Sequence, residues 1–222
     1  MLTDNIETLD DFLKCCSQHQ GKIFRGVSNK GYQLVPAIGR DSNRKAGSHG
    51  PSQEQEALRR FKNLSWPHVS RDLTEIQWLA LGQHHGLWTR LLDWSTSPLV
   101  ALYFAVVNMG YENHDGAVYI ASKPQALDLD SNTSVFDLKE VRYFQAPAVS
   151  SRIPAQSGVF TIHPEPDKSW EPENLVQLVI PAAKCGDVKT DLSKIGISEA
   201  ALFPDIDGQA RSVNWLFKWG DL

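Results

Sequence analysis

The sequence feature that most constrains the fold is a run of apolar residues in the middle of the chain, at positions 98–107. Ser97 precedes this run as a typical helix N-cap, and Pro98 suits the first helical position because its missing N–H needs no partner there. Apolar side chains on every side of a helix predict that it is buried. The run is about half as long as a membrane span, so we expect a helix in the core of a globular domain.

The order of the other elements predicts the fold class. Periodic apolar residues predict helices near 6–16, 52–65 and 72–84, strands at 22–26, 116–121, 158–163 and 175–180, and late helices at 187–195 and 207–217. Ser52 and Gln55 have the spacing of a capping box. Since helices concentrate early and strands late, we expect an α+β fold: a mainly antiparallel sheet with N-terminal and central helices packed on it. We expect one compact domain over residues 1–222.

Composition limits the environment and the partners. The net charge of −4 provides no general positive field for binding nucleic acid. Three cysteines, two of them adjacent, are a poor disulfide framework and are typical of a reducing cytoplasm. The N-terminal residues lack the basic-then-apolar order of a secretion signal. We therefore expect a cytoplasmic location and no membrane partner.

Residues 83–97 combine polar side chains with core residues. Buried polar groups need hydrogen-bond partners, and Arg90 and Asp93 can satisfy each other as a charge-assisted pair, either as a structural clamp or as part of a site. His85 precedes Gly86, where a sharp turn would present the imidazole to a cleft. A metal site would need a third ligand, for which His163 is the one candidate, so we predict no metal.

Two further features predict an anion site. Ser95, Thr96 and Ser97 lead into the N-terminus of the predicted central helix, where N–H groups and the helix dipole favour an anion. Arg25 ends a predicted strand directly before Gly26 and is well placed to bind a phosphate or carboxylate with two hydrogen bonds. Simple N-capping and a surface arginine are the structural alternatives.

These motifs resemble the FRG-domain family, which is named after the tripeptide Phe24-Arg25-Gly26. The central signature is Gln83-His84-His85-Gly86-x-x-Thr89-Arg90-Leu91-Leu92-Asp93-Trp94, followed by Ser97-Pro98-x-x-Ala101-Leu102-x-Phe104-Ala105. Looser blocks hold Arg152, Gln156, Gly158 and Phe160, and then Leu202 to Gly208, so the resemblance covers about 20–210. Val27 and Trp88 depart from the pattern, where the family often has glutamine and proline.

A weaker similarity links the chain to ADP-ribosyltransferases. It implies that Arg25 and Gly26 hold the phosphate or ribose of NAD, and that Ser95, Thr96 and Ser97 shape the nicotinamide pocket. Those enzymes also use a late glutamate, which is not found here in its usual form. Gln156 and His85 are the candidate substitutes. The resemblance thus implies a nucleotide-handling enzyme, most specifically an NAD-dependent ADP-ribosyltransferase-like toxin or phage-defence effector without a metal.

The same similarity implies the partners. The substrate would be NAD or another nucleotide, the acceptor a nucleic acid or a protein, and the partner protein an antitoxin. Two alternatives remain open. One is a nucleic-acid-binding or ligand-sensing module with a basic groove of Arg25, Arg90, Arg152 and residues 40–45. The other is a metal-independent nuclease-like enzyme that uses His85 and Asp93 as acid and base.

Overall fold

The computed structural model describes residues 2–43, 50–69, 72–107, 114–129, 134–146 and 150–219. In these ranges one seven-stranded sheet and its surrounding helices confirm the predicted α+β fold. The strands are β1 (Leu2–Asn5), β2 (Ile23–Val27), β3 (Leu91–Ser95), β4 (Gly116–Ala121), β5 (Arg142–Phe144), β6 (Gly158–Ile162) and β7 (Val176–Ile180).

The sheet has the order β1-β7-β4-β2-β3-β6-β5. Among these strands β1 and β7 pair in parallel, and every other neighbouring pair is antiparallel. The sequence patterns did not predict β1, β3 or β5. In β3 the expected alternation is hidden, because four of its five residues are buried and only Asp93 is exposed.

Helices surround the sheet. They are α1 (Leu9–Cys16), α2 (Glu54–Ser65), α3 (Glu75–His84), α4 (Pro98–Val106), α5 (Arg152–Ala155), α6 (Cys185–Lys194), α7 (Glu199–Leu202) and α8 (Ile206–Trp219). Thr74 and Gln77 form a capping box at the start of α3. The capping box predicted at Ser52 is wrong, because a 3-10 turn, Gly50–Gln53, precedes α2 and its cap makes no side-chain hydrogen bond.

The central helix α4 is buried against β2, as the apolar run predicts. Gly26 makes this approach possible. A Cβ atom at position 26 would lie 1.8 Å from the Ala101 carbonyl oxygen and 2.7 Å from the Ala105 nitrogen. The glycine is therefore needed for close packing of a helix backbone on a strand backbone.

The core has three parts. The first packs α1, α4 and α6 on one face of the sheet and includes Phe12, Phe24 and Leu102. The second packs α2 and α3 on β3, β5 and β6. The third, which includes Ile23 and Trp94, covers the opposite face, because neighbouring strand residues point to opposite sides. Within the described ranges, no helix is long and apolar enough to cross a bilayer.

Candidate functional site

Arg25 occupies an opening in the middle of the sheet. β2 pairs with β4 over five residues but with β3 only through Phe24 and Ser95. Beside this short contact, Nη1 of Arg25 donates a hydrogen bond to the main-chain oxygen of Asp93 at 2.5 Å. The Arg25 side chain is 14% exposed. Burial lowers the pKa of its guanidinium, and the charge of Asp93 opposes that shift. Because arginine stays protonated in proteins, a largely buried positive charge lies between the two strands.

Asp93 on β3 faces the same opening. Its Oδ1 accepts a hydrogen bond from Nε2 of Gln83 at 2.8 Å, and its Oδ2 lies 3.8 Å from Nη1 of Arg25. The Asp93 side chain is 63% exposed. The carboxylate is thus oriented by the protein on one side and accessible from the other.

A cleft of about 310 Å³ opens beside these two side chains. This volume lies at the lower end of the range for small-molecule sites, roughly 300–1,000 Å³. The polar lining side chains are Arg25, His84, Asp93, Ser95, Arg152 and Gln156. The remaining lining residues are Phe24, Gly26, Trp94, Val100, Ala101, Phe104 and Phe203. The structure therefore places five predicted site residues around one cleft: Arg25, Gly26, Asp93, Ser95 and Gln156.

The side of the cleft away from the sheet is built by residues late in the chain. Arg152 forms an ion pair with Asp205 at 2.6 Å, and its guanidinium lies 5.1 Å from the centre of the Phe203 ring. The guanidinium of Arg211 lies 4.9 Å from the same ring centre. Gln156 donates from Nε2 to the Leu202 carbonyl oxygen at 3.0 Å. An aromatic ring and a second guanidinium thus line the same cleft as Arg25.

His84, and not His85, lines the cleft. Nε2 of His84 lies 2.9 Å from Oγ of Ser150. Burial, with the neighbouring His85 and Arg152, lowers the pKa of His84, so its ring is neutral at pH 7. His85 is exposed at the end of α3, and Gly86 makes the predicted turn with a φ of 89°. Since α3 continues through His84, the helix directs that side chain, one position earlier than expected, to the site.

The three hydroxyl residues before α4 mainly hold the turn together. Ser95 Oγ donates to the Gln156 carbonyl oxygen at 2.8 Å and accepts from the Ser97 N–H at 2.9 Å. The Thr96 N–H bonds the Ser157 carbonyl oxygen, and Thr96 lines a different cavity. Neither Thr96 nor Ser97 lines the cleft. Of the predicted hydroxyl motif, Ser95 is therefore the one member that faces it.

The predicted pairing of Arg90 with Asp93 is wrong. Arg90 bonds Glu54 of α2 twice, through its main-chain N–H at 2.7 Å and through Nε at 2.8 Å. The side chains of Arg90 and Glu54 are 7% and 1% exposed, and the guanidinium lies over the Phe136 ring. Arg90 thus fixes a helix to the start of β3 and does not contribute to a basic groove. Glu54 was not singled out because acidic residues are ordinary in the first turn of a helix.

His163, the candidate third metal ligand, lies in the core. It is hydrogen bonded to Oγ1 of Thr161 at 2.8 Å and packs edge-on against Trp170. Burial lowers its pKa to about 3. Among the residues that the structure describes, no group of three or more His, Cys, Asp or Glu side chains has the arrangement of a metal site.

Residues 20–114 match the family model of the FRG domain. The chain contains an FRG domain. No curated protein and no solved structure matches the chain. The matched segment of the FRG domain contributes Arg25, Asp93 and Ser95 to the cleft, whereas Arg152, Gln156 and Phe203 lie beyond it.

Two residues of the FRG signature support the site from behind. Thr89 is fully buried and donates from its hydroxyl to Oε1 of Gln83, whose other end holds Asp93. Neither was predicted as a site residue, although both belong to the signature. A polar residue close to Leu87, Leu91 and Leu92, where a buried group needs a hydrogen-bond partner, is the signal that would have identified Thr89.

Proposed function

We propose that the FRG domain binds a nucleotide in this cleft and acts on it, most specifically as an NAD-dependent ADP-ribosyltransferase-like toxin or phage-defence effector. The observation that carries the proposal is the placement of the Arg25 guanidinium and the Asp93 carboxylate side by side in a cleft with aromatic walls. Phosphate, ribose and base each find a suitable group there.

Arg25 and Arg152 are the phosphate ligands in this proposal. A guanidinium has five N–H donors, and the hydrogen bond from Arg25 to the Asp93 carbonyl oxygen uses one of them. Its planar donor fork matches phosphate oxygens. Arg152 already holds a carboxylate, Asp205, so a phosphate would share it with Asp205.

Aromatic rings supply the surface for a base or for nicotinamide. Phe24, Phe104 and Phe203 line the cleft, and Phe104 and Phe203 pack edge-on with ring centres 6.0 Å apart. Stacking of a base on an aromatic side chain contributes about 1–3 kcal/mol. The rings therefore favour a nucleotide over a simple phosphate.

Asp93 takes the role that the sequence left to Gln156 or His85. When the nicotinamide–ribose bond breaks, its electron pair leaves with the nicotinamide nitrogen, and the ribose carbon becomes positively charged. A preorganised carboxylate stabilises that charge in the transition state. Asp93 is oriented by Gln83 and exposed to the cleft. The cation then reacts with an acceptor on a nucleic acid or a protein, which loses a proton.

The test is nicotinamide release by the purified protein with NAD. We expect release to fall about 100- to 1,000-fold in Asp93→Asn, the loss typical when one transition-state contact is removed. Arg25→Lys should also raise KM, because lysine lacks the planar donor fork. Arg142→Lys is the matched control: Arg142 is also a partly buried strand arginine with an acidic partner, and it lies outside the cleft.

Two outcomes would contradict the proposal. Release that is equal in wild type and Asp93→Asn would remove Asp93 from the reaction. Failure of NAD to bind or to be cleaved at any concentration would exclude NAD as the substrate. Binding of a nucleotide in the cleft without turnover would favour the ligand-sensing alternative.

A further inference from the structure

Asp93 is held by a chain of hydrogen bonds that begins in the buried interior at Thr89 and ends at the exposed carboxylate. The Leu91 N–H donates to Oγ1 of Thr89 at 3.1 Å, the Thr89 hydroxyl donates to Oε1 of Gln83, and Nε2 of Gln83 donates to Oδ1 of Asp93. Gln83 is on the last turn of α3, whereas Asp93 is in the middle of β3. This hydrogen-bond chain therefore connects the end of α3 to the exposed carboxylate on β3.

The chemistry of these groups fixes the direction of each bond. A main-chain N–H can only donate, so Thr89 must accept from Leu91, and its single hydroxyl hydrogen remains for Gln83. An ionised carboxylate can only accept, so the Gln83 amide must turn its NH₂ group toward Asp93. The reversed amide would place two acceptor oxygens together. One orientation of Gln83 therefore satisfies all partners.

Without this hydrogen-bond chain the Asp93 carboxylate would be free to rotate. An exposed side chain that is held in one geometry loses conformational entropy, and a bond must offset that loss. The Gln83 bond holds Oδ1, while Oδ2 lies 3.8 Å from Arg25, too far for a hydrogen bond. Oδ2 is thus presented to the cleft with its acceptor capacity unused by either residue.

We propose that Gln83 is the positioning residue for Asp93, and that Thr89 sets the orientation of Gln83. This inference rests on the proposed function, since it assigns the two residues a role in presenting Oδ2 to the ribose. A displacement of a reacting group by about 1 Å reduces a rate roughly 100-fold. We therefore expect this hydrogen-bond chain, which fixes the position of Oδ2, to affect kcat rather than nucleotide binding.

The test uses nearly isosteric variants. We expect Gln83→Met and Thr89→Val to lower kcat about 10- to 100-fold with KM changed less than about threefold. Thr89→Ser keeps the hydroxyl and should restore kcat to near wild type. Gln77→Met is the control, because Gln77 lies on the same helix and bonds the Thr74 main chain. A purely structural role would give no kcat–KM split and no rescue by serine.

A second readout separates this inference from the proposed function. In ligand-free protein, NMR of the Gln83 side-chain NH₂ group and the Asp93 carboxyl carbon should shift in Thr89→Val and return in Thr89→Ser. If NAD is turned over but Gln83→Met keeps the wild-type kcat, positioning by Gln83 is refuted and the function stands. If NAD is not turned over, unchanged NMR signals in Thr89→Val would refute the coupling of Thr89 to Asp93 through Gln83.

Discussion

The two sides of the cleft are built in different ways. In the sheet wall, formed by Phe24, Arg25, Asp93 and Ser95, two side chains are held by the backbone: Arg25 bonds a main-chain oxygen, and Ser95 bonds two main-chain groups. Asp93 is held by the side chain of Gln83. The C-terminal wall, formed by Arg152, Gln156 and Phe203, depends largely on side chains that contact one another. The FRG match includes the sheet wall and ends before the C-terminal wall.

This contrast separates a fixed part of the site from an adjustable part. A backbone contact survives most substitutions, whereas an ion pair such as Arg152–Asp205 changes with a single residue. The sheet wall carries the groups proposed for chemistry. The C-terminal wall carries a ring and a charge that can set which ligand fits.

The largest expected effect is on the packing that supports the sheet wall. Gly26→Ala would place a methyl group 1.8 Å from the Ala101 carbonyl oxygen, and neither backbone can move without disturbing the core. We expect a loss of about 4 kcal/mol or more, which would lower Tm by roughly 8–16 °C in a domain of this size. Thermal unfolding measures it. Gly31→Ala is the control, since its methyl group would meet only the Asn29 side chain; equal melting of the two variants would contradict the packing argument.

The next effect concerns the buried ion pair between Glu54 and Arg90, which contrasts with the partly exposed pair between Arg152 and Asp205. Glu54→Gln leaves Arg90 as an uncompensated buried charge, and breaking a buried pair costs about 3–5 kcal/mol. Urea unfolding followed by tryptophan fluorescence gives the change in free energy. A loss below about 1 kcal/mol would show that Arg90 finds another partner and that the buried pair does not stabilise β3.

On acidification, the free energy of unfolding should fall first through protonation of His163, and only at lower pH through Asp205 of the C-terminal wall. The pKa of His163 is about 3 in the folded protein and about 6.5 when unfolded. Between these values the unfolded state binds the extra proton, so stability falls as pH drops below about 6.5, by up to roughly 1.4 kcal/mol per pH unit. The lowered pKa of His84 acts in the same direction.

Unfolding midpoints at pH 7, 6 and 5 test this effect. His163→Gln removes the titrating ring and should flatten the dependence between pH 6.5 and 5. A slope that is unchanged in this variant would assign the acid sensitivity to other groups. In the C-terminal wall, Arg152 lowers the pKa of Asp205. The contribution of this ion pair to stability is therefore lost only below about pH 4.

The smallest effect is expected for Asp205→Asn. Its ion pair with Arg152 is partly exposed, with side chains 25% and 33% accessible, and exposed pairs contribute little to stability. We expect the urea midpoint to stay within error of wild type, while Arg152 becomes free to bind an anion. A fall as large as that of Glu54→Gln would show that the C-terminal wall is as important to the fold as the sheet wall.

Local patterns predicted the elements with strong signals. The buried helix α4 follows from its apolar run, the strand around Arg25 from the apolar residues before Gly26, and α3 from its periodic apolar residues. Long-range partners were not predictable. Arg90 pairs with Glu54, 36 positions earlier, and Arg152 pairs with Asp205, 53 positions later, because the folded chain brings together side chains whose sequence spacing has no regular period.

The amino-acid sequence by itself determined the α+β class and the buried central helix. It also identified Arg25, Asp93 and Ser95 as candidate site residues, all of which line the cleft. These features depend on local patterns and motifs. Only the tertiary structure decided that His84 rather than His85 lines the cleft and that a wall from beyond the FRG match completes it. The physical reason is that the direction of a side chain depends on where its helix ends and what packs against it, and both are set by contacts between distant parts of the chain.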